Sequence, residues 1–171
     1  MKRIEAISMF NVLSTVKVNK MTDELVEIVL NNHLAVHSVQ KSLSDAQEAL
    51  SRRVLEGISD DRQRAHSELE TRLKAEKDPQ KQAELQVIIN DTYADIVEAN
   101  RKFVKVYNKL MQSDVEVKLD KVERKTFLKG CADAGMQLTP AQLTALAPMF
   151  KDVEEAQPAD ILAEIDELMK D

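Results

Sequence analysis

The side chains with the richest chemistry in this 171-residue chain are three histidines and one cysteine. His33 and His37 stand four apart, which places both imidazoles on one face of a helix at a spacing that suits a transition metal. A site needs further ligands. The Glu-x-x-His pairing of di-metal helical bundles is missing, because no glutamate lies three residues before either histidine. The expectation is therefore His33 at the edge of an apolar seam, His37 turned outward, and no bound metal or other cofactor. His66 with Glu70 repeats the spacing inside a densely charged stretch, which is a weaker signal.

Cys131 would act as a nucleophile only beside a base in an electropositive setting, such as a helix N-terminus. It falls instead near a predicted helix C-terminus, where the dipole opposes a thiolate, so a small buried core residue is expected. Gly130-Cys-Ala-Asp-Ala-Gly135 shares two glycines with a phosphate loop. No Lys-Ser/Thr follows it and no strand precedes it, so it reads as helix-end punctuation. The many carboxylates are mixed with Lys and Arg on solvated faces, and nothing marks a buried acid–base pair. No catalytic residue is expected. Lys118, Lys121, Arg124, Lys125 and Lys129 form a partly basic face over 118–129, the basis of an alternative reading as an adaptor that touches nucleic acid. Asp114, Glu116, Asp120 and Glu123 dilute that face, and no aromatic interleaves for base stacking.

These residues sit in a chain whose composition favours helices. It has 3 Gly, 4 Pro and 4% aromatics, with 43% hydrophobic and 32% charged residues. Few glycines and aromatics suit helices better than sheets, and an all-α fold is expected, with helix content above about 60% against a globular norm near one third. The formal net charge of -6 gives no global field to attract nucleic acid or an anionic membrane. A single cysteine suits a reducing compartment. Glu5, Ser8 and Asn11 interrupt the first apolar run, so no signal peptide is expected, and no segment reaches the roughly 18 apolar residues of a membrane span. A cytoplasmic protein is the expectation.

Ile4, Ile7, Phe10, Leu13 and their neighbours predict a short helix over 4–14, followed by a connection at 17–21. Thr22 with Asp23 and Glu24 opens the next helix. From there Leu25, Val29, Asn32, Val36, Val39, Leu43, Ala46 and Leu50 alternate four and three apart, a continuous seam for a partner helix. The small residues Ala35, Ser42 and Ala49 run beside it and predict a close helix neighbour. Gly57 and Ser59 stop one helix and start another, Asp78-Pro79 starts a third, and the segment between is mostly charged. A second seam, Leu85, Ile89, Thr92, Ile96, Ala99, Phe103, Val106 and Leu110, predicts one helix over 79–112, about 50 Å long at 1.5 Å per residue. Tyr93, Val97, Val104, Tyr107 and Met111 widen its apolar face beyond what one partner covers. These five residues are the expected interaction surface, for self-association or for a larger assembly.

After Met111 the pattern changes. Val115, Val117 and Leu119 alternate with period two and predict a short extended segment. Asp120 with Glu123, and Thr139-Pro140 with Gln142, are capping boxes for two short helices. Gln157-Pro158 opens a last helix with Ile161, Leu162, Ile165, Leu168 and Met169 on its face. The expected architecture is a long helical hairpin or bundle over 1–113 with a small helical module over 114–171.

The passages Ile4-Glu5-Ala6 through Leu13, Lys17-Val18-Asn19-Lys20-Met21, and Val115 through Val122, with Phe127 and the helix from Leu138 to Leu146, resemble small all-helical proteins encoded by bacteriophages and prophages of gut anaerobes. The resemblance implies a virion component or assembly factor, and then a place in the virion. The expected function is thus a non-enzymatic structural protein acting through helix-mediated contacts, with the nucleic-acid adaptor second and a metal-dependent helical-bundle enzyme last.

Overall fold

A computed structural model describes residues 1–151. Helices make up 74% of these residues, in the order α1 (Arg3–Leu13), α2 (Asp23–Val54), α3 (Asp60–Ala75), α4 (Pro79–Thr92), α5 (Ala94–Met111), α6 (Arg124–Asp133) and α7 (Pro140–Leu146), with a 3-10 turn at Ala147–Met149. No strand occurs among the described residues, only two isolated bridges, Lys2 with Asp114 and Val122 with Phe150. The all-α fold is as expected. The helix expected after Gln157-Pro158 lies outside the described residues.

The chain divides into two compact units, and the division is discontinuous. Among the described residues, Met1–Gln40 joins residues 114–151, and Lys41–Ser113 forms the other unit. The expected division is a single cut between 1–113 and 114–171, whereas these units are discontinuous in sequence. Helical period carries on unbroken through α2, so the sequence pattern has nothing to mark where α2 passes from one unit to the other.

In the first unit, α2 presents the predicted seam. Leu25, Val29, Asn32, Val36 and Val39 are buried, together with Ala6, Met9 and Leu13 of α1, Phe127 and Cys131 of α6, and Leu146, Met149 and Phe150. Phe127 and Phe150 meet with ring centroids 5.7 Å apart. The period-two segment is extended as expected but belongs to no sheet. Val115, Val117 and Leu119 are half-buried against this core while Glu116, Lys118 and Asp120 face solvent. Its start is held by Met1, whose carbonyl accepts from Val115 N–H at 2.9 Å.

Asn32 holds the other end of that segment. Its Oδ1 accepts from Asp120 N–H at 2.8 Å and its Nδ2 donates to Asp120 C=O at 2.9 Å. The polar interruption in the seam is thus a two-point clasp on another piece of backbone. It also corrects the expected Asp120–Glu123 capping box. With Asp120 held by Asn32, α6 begins later, after Glu123, whose side chain makes no cap bond.

The α6 end is a Schellman motif. Gly135 takes φ +70, its N–H donates to Ala132 C=O, and Met136 N–H donates to Cys131 C=O at 2.9 Å. Gly130 is not punctuation. It is buried inside α6, and a Cβ there would stand 2.9 Å from Leu25 Cδ1 and 3.5 Å from Met21 Cγ. Gly130→Val is expected to cost about 1–3 kcal/mol through overpacking against α2, read as a lower urea midpoint. A midpoint equal to wild type would remove the close approach as the reason for glycine.

In the second unit the predicted caps form. Gly57 takes φ +83 after α2, Ser59 Oγ accepts from Arg62 N–H, and Asp78 caps α4 with Pro79 at its first position. Ile89, Ile96 and Ala99 are the buried part of the second seam, while Leu85, Phe103 and Leu110 are half-buried and Thr92 and Val106 exposed. The small-residue row is not covered as expected, since Ser42 and Ala49 are exposed. The single helix expected over 79–112 is two helices, broken at Tyr93.

Candidate interaction surface

The sequence-predicted chemistry resolves into packing. Phe10 of α1 lies against both α2 histidines, with ring centroids 5.1 Å from His33 and 5.5 Å from His37. His33 is half-buried with Nε2 3.1 Å from Ser14 Oγ, and His37 is exposed. No group of three or more His, Cys, Asp or Glu placed to hold a metal occurs among the described residues. Burial pushes the Cys131 thiol up, away from the nucleophilic form. The basic residues of 118–129 do not share one helix face, because Lys118 and Lys121 precede α6 and Lys121 Nζ donates to Pro148 C=O. No helix among the described residues is long and apolar enough to cross a membrane.

Of the five residues expected to form the interaction surface, two come together. Val97 and Val104 line one groove of about 540 Å³, whose wall includes Ile89, Asn90 and Asn100, with Glu70, Arg101 and Lys105 among its charged residues. Tyr107 instead stacks on Phe103 within α5, with centroids 5.7 Å apart and planes 9° from parallel. Met111 is half-buried near the end of α5. Tyr93 is the break itself.

Around Tyr93, that break is held by Arg62 and Asp95, which the sequence pattern did not single out. At Tyr93 the backbone takes φ -121 and ψ 31, out of helical range. Arg62 of α3 reaches across, donating from Nη2 to Thr92 C=O at 3.1 Å and to Asp95 Oδ1 at 2.8 Å, with its guanidinium 5.2 Å from the Tyr93 ring centroid. In an uninterrupted helix Thr92 C=O would accept from Ile96 N–H; here it accepts from Arg62, which satisfies the carbonyl side of the break. Kinks have such identifiable causes. Arg62 holds the Asp95 carboxyl below the usual carboxylate range. The one available signal was Thr92-Tyr-Ala-Asp95, which has the spacing of a capping pair.

His66, one turn beyond Arg62, is buried and meets Tyr93 edge-on at 5.6 Å. Its Nε2 makes no hydrogen bond with the described residues, and Glu70 Oε1 stands 3.8 Å away. These contacts run α3 antiparallel to the α4–α5 pair: Arg62 meets Asp95, His66 meets Tyr93, and Glu70 lies toward α4. The groove therefore carries its acidic residue at the α4 end and Arg101 and Lys105 at the α5 end.

The apolar part of this surface is open to water. Val104 is 54% exposed, and a separate shallow depression on α4 is lined by the exposed Val87 and Ile88. A larger groove in the first unit, about 840 Å³, is lined by Met1, Ile4, Ser8, Ala141, Thr144 and Phe150, among others.

No protein-family model matches the chain, and neither a curated protein nor a solved structure matches it.

Proposed function

We propose that this chain is a non-enzymatic protein that works through helix-mediated contacts, with the α4–α5 groove as its contact surface. The observation that carries this reading is the pairing of Val97 and Val104 in one groove, with Val104 more than half exposed. Contiguous apolar surface is uncommon on a chain that acts alone. The helix break adds support, since Arg62, Tyr93 and Asp95 hold α4 and α5 at a fixed bend and so give the groove a set shape. A phage particle or its assembly as the setting of such contacts rests on the resemblance of residues 4–13, 17–21, 115–122, Phe127 and 138–146 to phage-encoded helical proteins.

Val104→Glu tests the reading, because position 104 tolerates a charge without disturbing the core. The full chain is expected to bind a hydrophobic dye or to associate, and Val104→Glu to lose at least three-quarters of that signal with its melting temperature unchanged. If wild type neither binds dye nor associates at high micromolar concentration, the groove is not a contact surface.

A further inference from the structure

We infer that the occupant of the α4–α5 groove is a second copy of this chain, packed antiparallel across a two-fold axis near Val97. This rests on the groove being a contact surface and goes further by naming what fills it. The groove is self-complementary in two respects.

The first is shape. Val97 lies midway along α4–α5 between Ile89, which is buried and forms part of the groove wall, and Val104, which stands out from it. Val97 and Val104 are seven residues apart, about 10 Å along the axis, and Ile89 is eight residues to the other side. A two-fold axis at Val97 sets Val104 of each copy against the Ile89 region of the other, a projecting side chain on a recessed one, and Val97 on Val97. Two-fold interfaces require this reciprocity, in which each surface meets its own complement.

The second is charge. Glu70 stands at the α4 end and Lys105 with Arg101 at the α5 end. Antiparallel packing brings Glu70 of each copy toward Lys105 of the other, twice over. Parallel packing in register would set Glu70 on Glu70 and Lys105 on Lys105, so charge selects the antiparallel arrangement. Arg101 already stands 4.0 Å from Glu98 within α5, which leaves Lys105 as the cation for the new pair.

The test is molar mass by light scattering on the full chain across a concentration series, with charge reversal. Wild type is expected to show a dimer. Glu70→Lys and Lys105→Glu should each weaken dimerisation about tenfold, since each reversal disturbs both symmetry-related exposed ion pairs, and the combined variant should recover at least half of that loss in log units. Each variant's helix content and melting temperature are measured beside it, and Lys105→Gln stands in if Glu70→Lys melts early, with an expected weakening of about threefold. A dimer unaffected by the charge changes and by Val104→Glu overturns the inference, because the copies would then meet elsewhere. So does a combined variant no better than the single ones. A strictly monomeric wild type also overturns it, while dye binding lost in Val104→Glu would leave the contact surface standing with a different occupant.

Discussion

Phe127→Ala is expected to destabilise the first unit by about 3–5 kcal/mol, the usual cost of emptying a large aromatic from a closed core. Phe127 is 0% exposed and is the largest fully buried side chain among the described residues. Its ring lies against Phe150, and it shares the core with Met9 of α1, Leu25 and Val29 of α2, and Leu146 and Met149. These neighbours come from helices far apart in the chain, so no single element can close over the space. Phe103→Ala is the control. Phe103 is half-buried and stacks on one face of Tyr107, so water already reaches the site and its loss should cost under about 2 kcal/mol. Urea unfolding followed by far-UV circular dichroism separates the two. Equal losses in the two variants would mean that Phe127 does not anchor a core of its own.

Asn32→Leu is expected to cost about 2–3 kcal/mol although it places a larger apolar side chain in an apolar seam. The gain from burying that side chain is opposed by the Asp120 N–H and C=O, which both lose their partner, and groups left unsatisfied away from water cost about 1–3 kcal/mol each. The lower part of that range applies, because Asp120 itself is exposed and water can reach part of its backbone. Asn31→Ala makes the comparison. Asn31 Nδ2 donates to the Asp120 carboxylate at 2.9 Å on the surface, and its removal should cost under about 1 kcal/mol. Amide exchange at Asp120 gives a local readout, expected to speed up at least tenfold in Asn32→Leu. An Asn32→Leu variant as stable as wild type would show that the clasp adds nothing to the hold on the extended segment.

Both results concern a residue whose type was visible in the sequence and whose partner was not. The interruption of the α2 seam at Asn32 was plain, because a polar residue stood where the four-three spacing called for an apolar one. What it binds lies 88 residues away. No pattern of period 3.6 or 2 carries information over that distance. The same holds for Tyr93. A bulky ring on the flank of an apolar face gave reason to expect an interaction surface, and Val97 and Val104, on the same flank, do line an exposed groove. The ring itself is engaged by Arg62 and His66 of α3, two members of a charged stretch whose local pattern does not point to Tyr93.

Local signals were decisive where the physics is local. Helix caps depend on a side chain and a backbone amide two or three residues apart, and the Ser59, Asp78 and Thr139 caps and the positive φ at Gly57 and Gly135 follow from residue type alone. The buried face of α2 from Leu25 to Leu43 likewise follows from spacing, since a helix turns at a constant rate whatever it packs on. The alternation at Val115, Val117 and Leu119 foretold an extended chain, because only an extended backbone sends alternate residues to opposite sides.

Tertiary structure alone decided the rest. It paired the first forty residues with residues 114–151, because the core that closes around Phe127 draws on α1, α2 and the C-terminal helices together. It made Gly130 a contact rather than a helix end, because Leu25 leaves no room for a Cβ. It broke the α4–α5 helix at Tyr93, where Arg62 can bind the Thr92 carbonyl only once α3 has folded alongside. The sequence by itself determined the all-α class, most helix starts and the face of each helix that seeks cover, and the partners those faces found depended on contacts between residues that the chain keeps far apart.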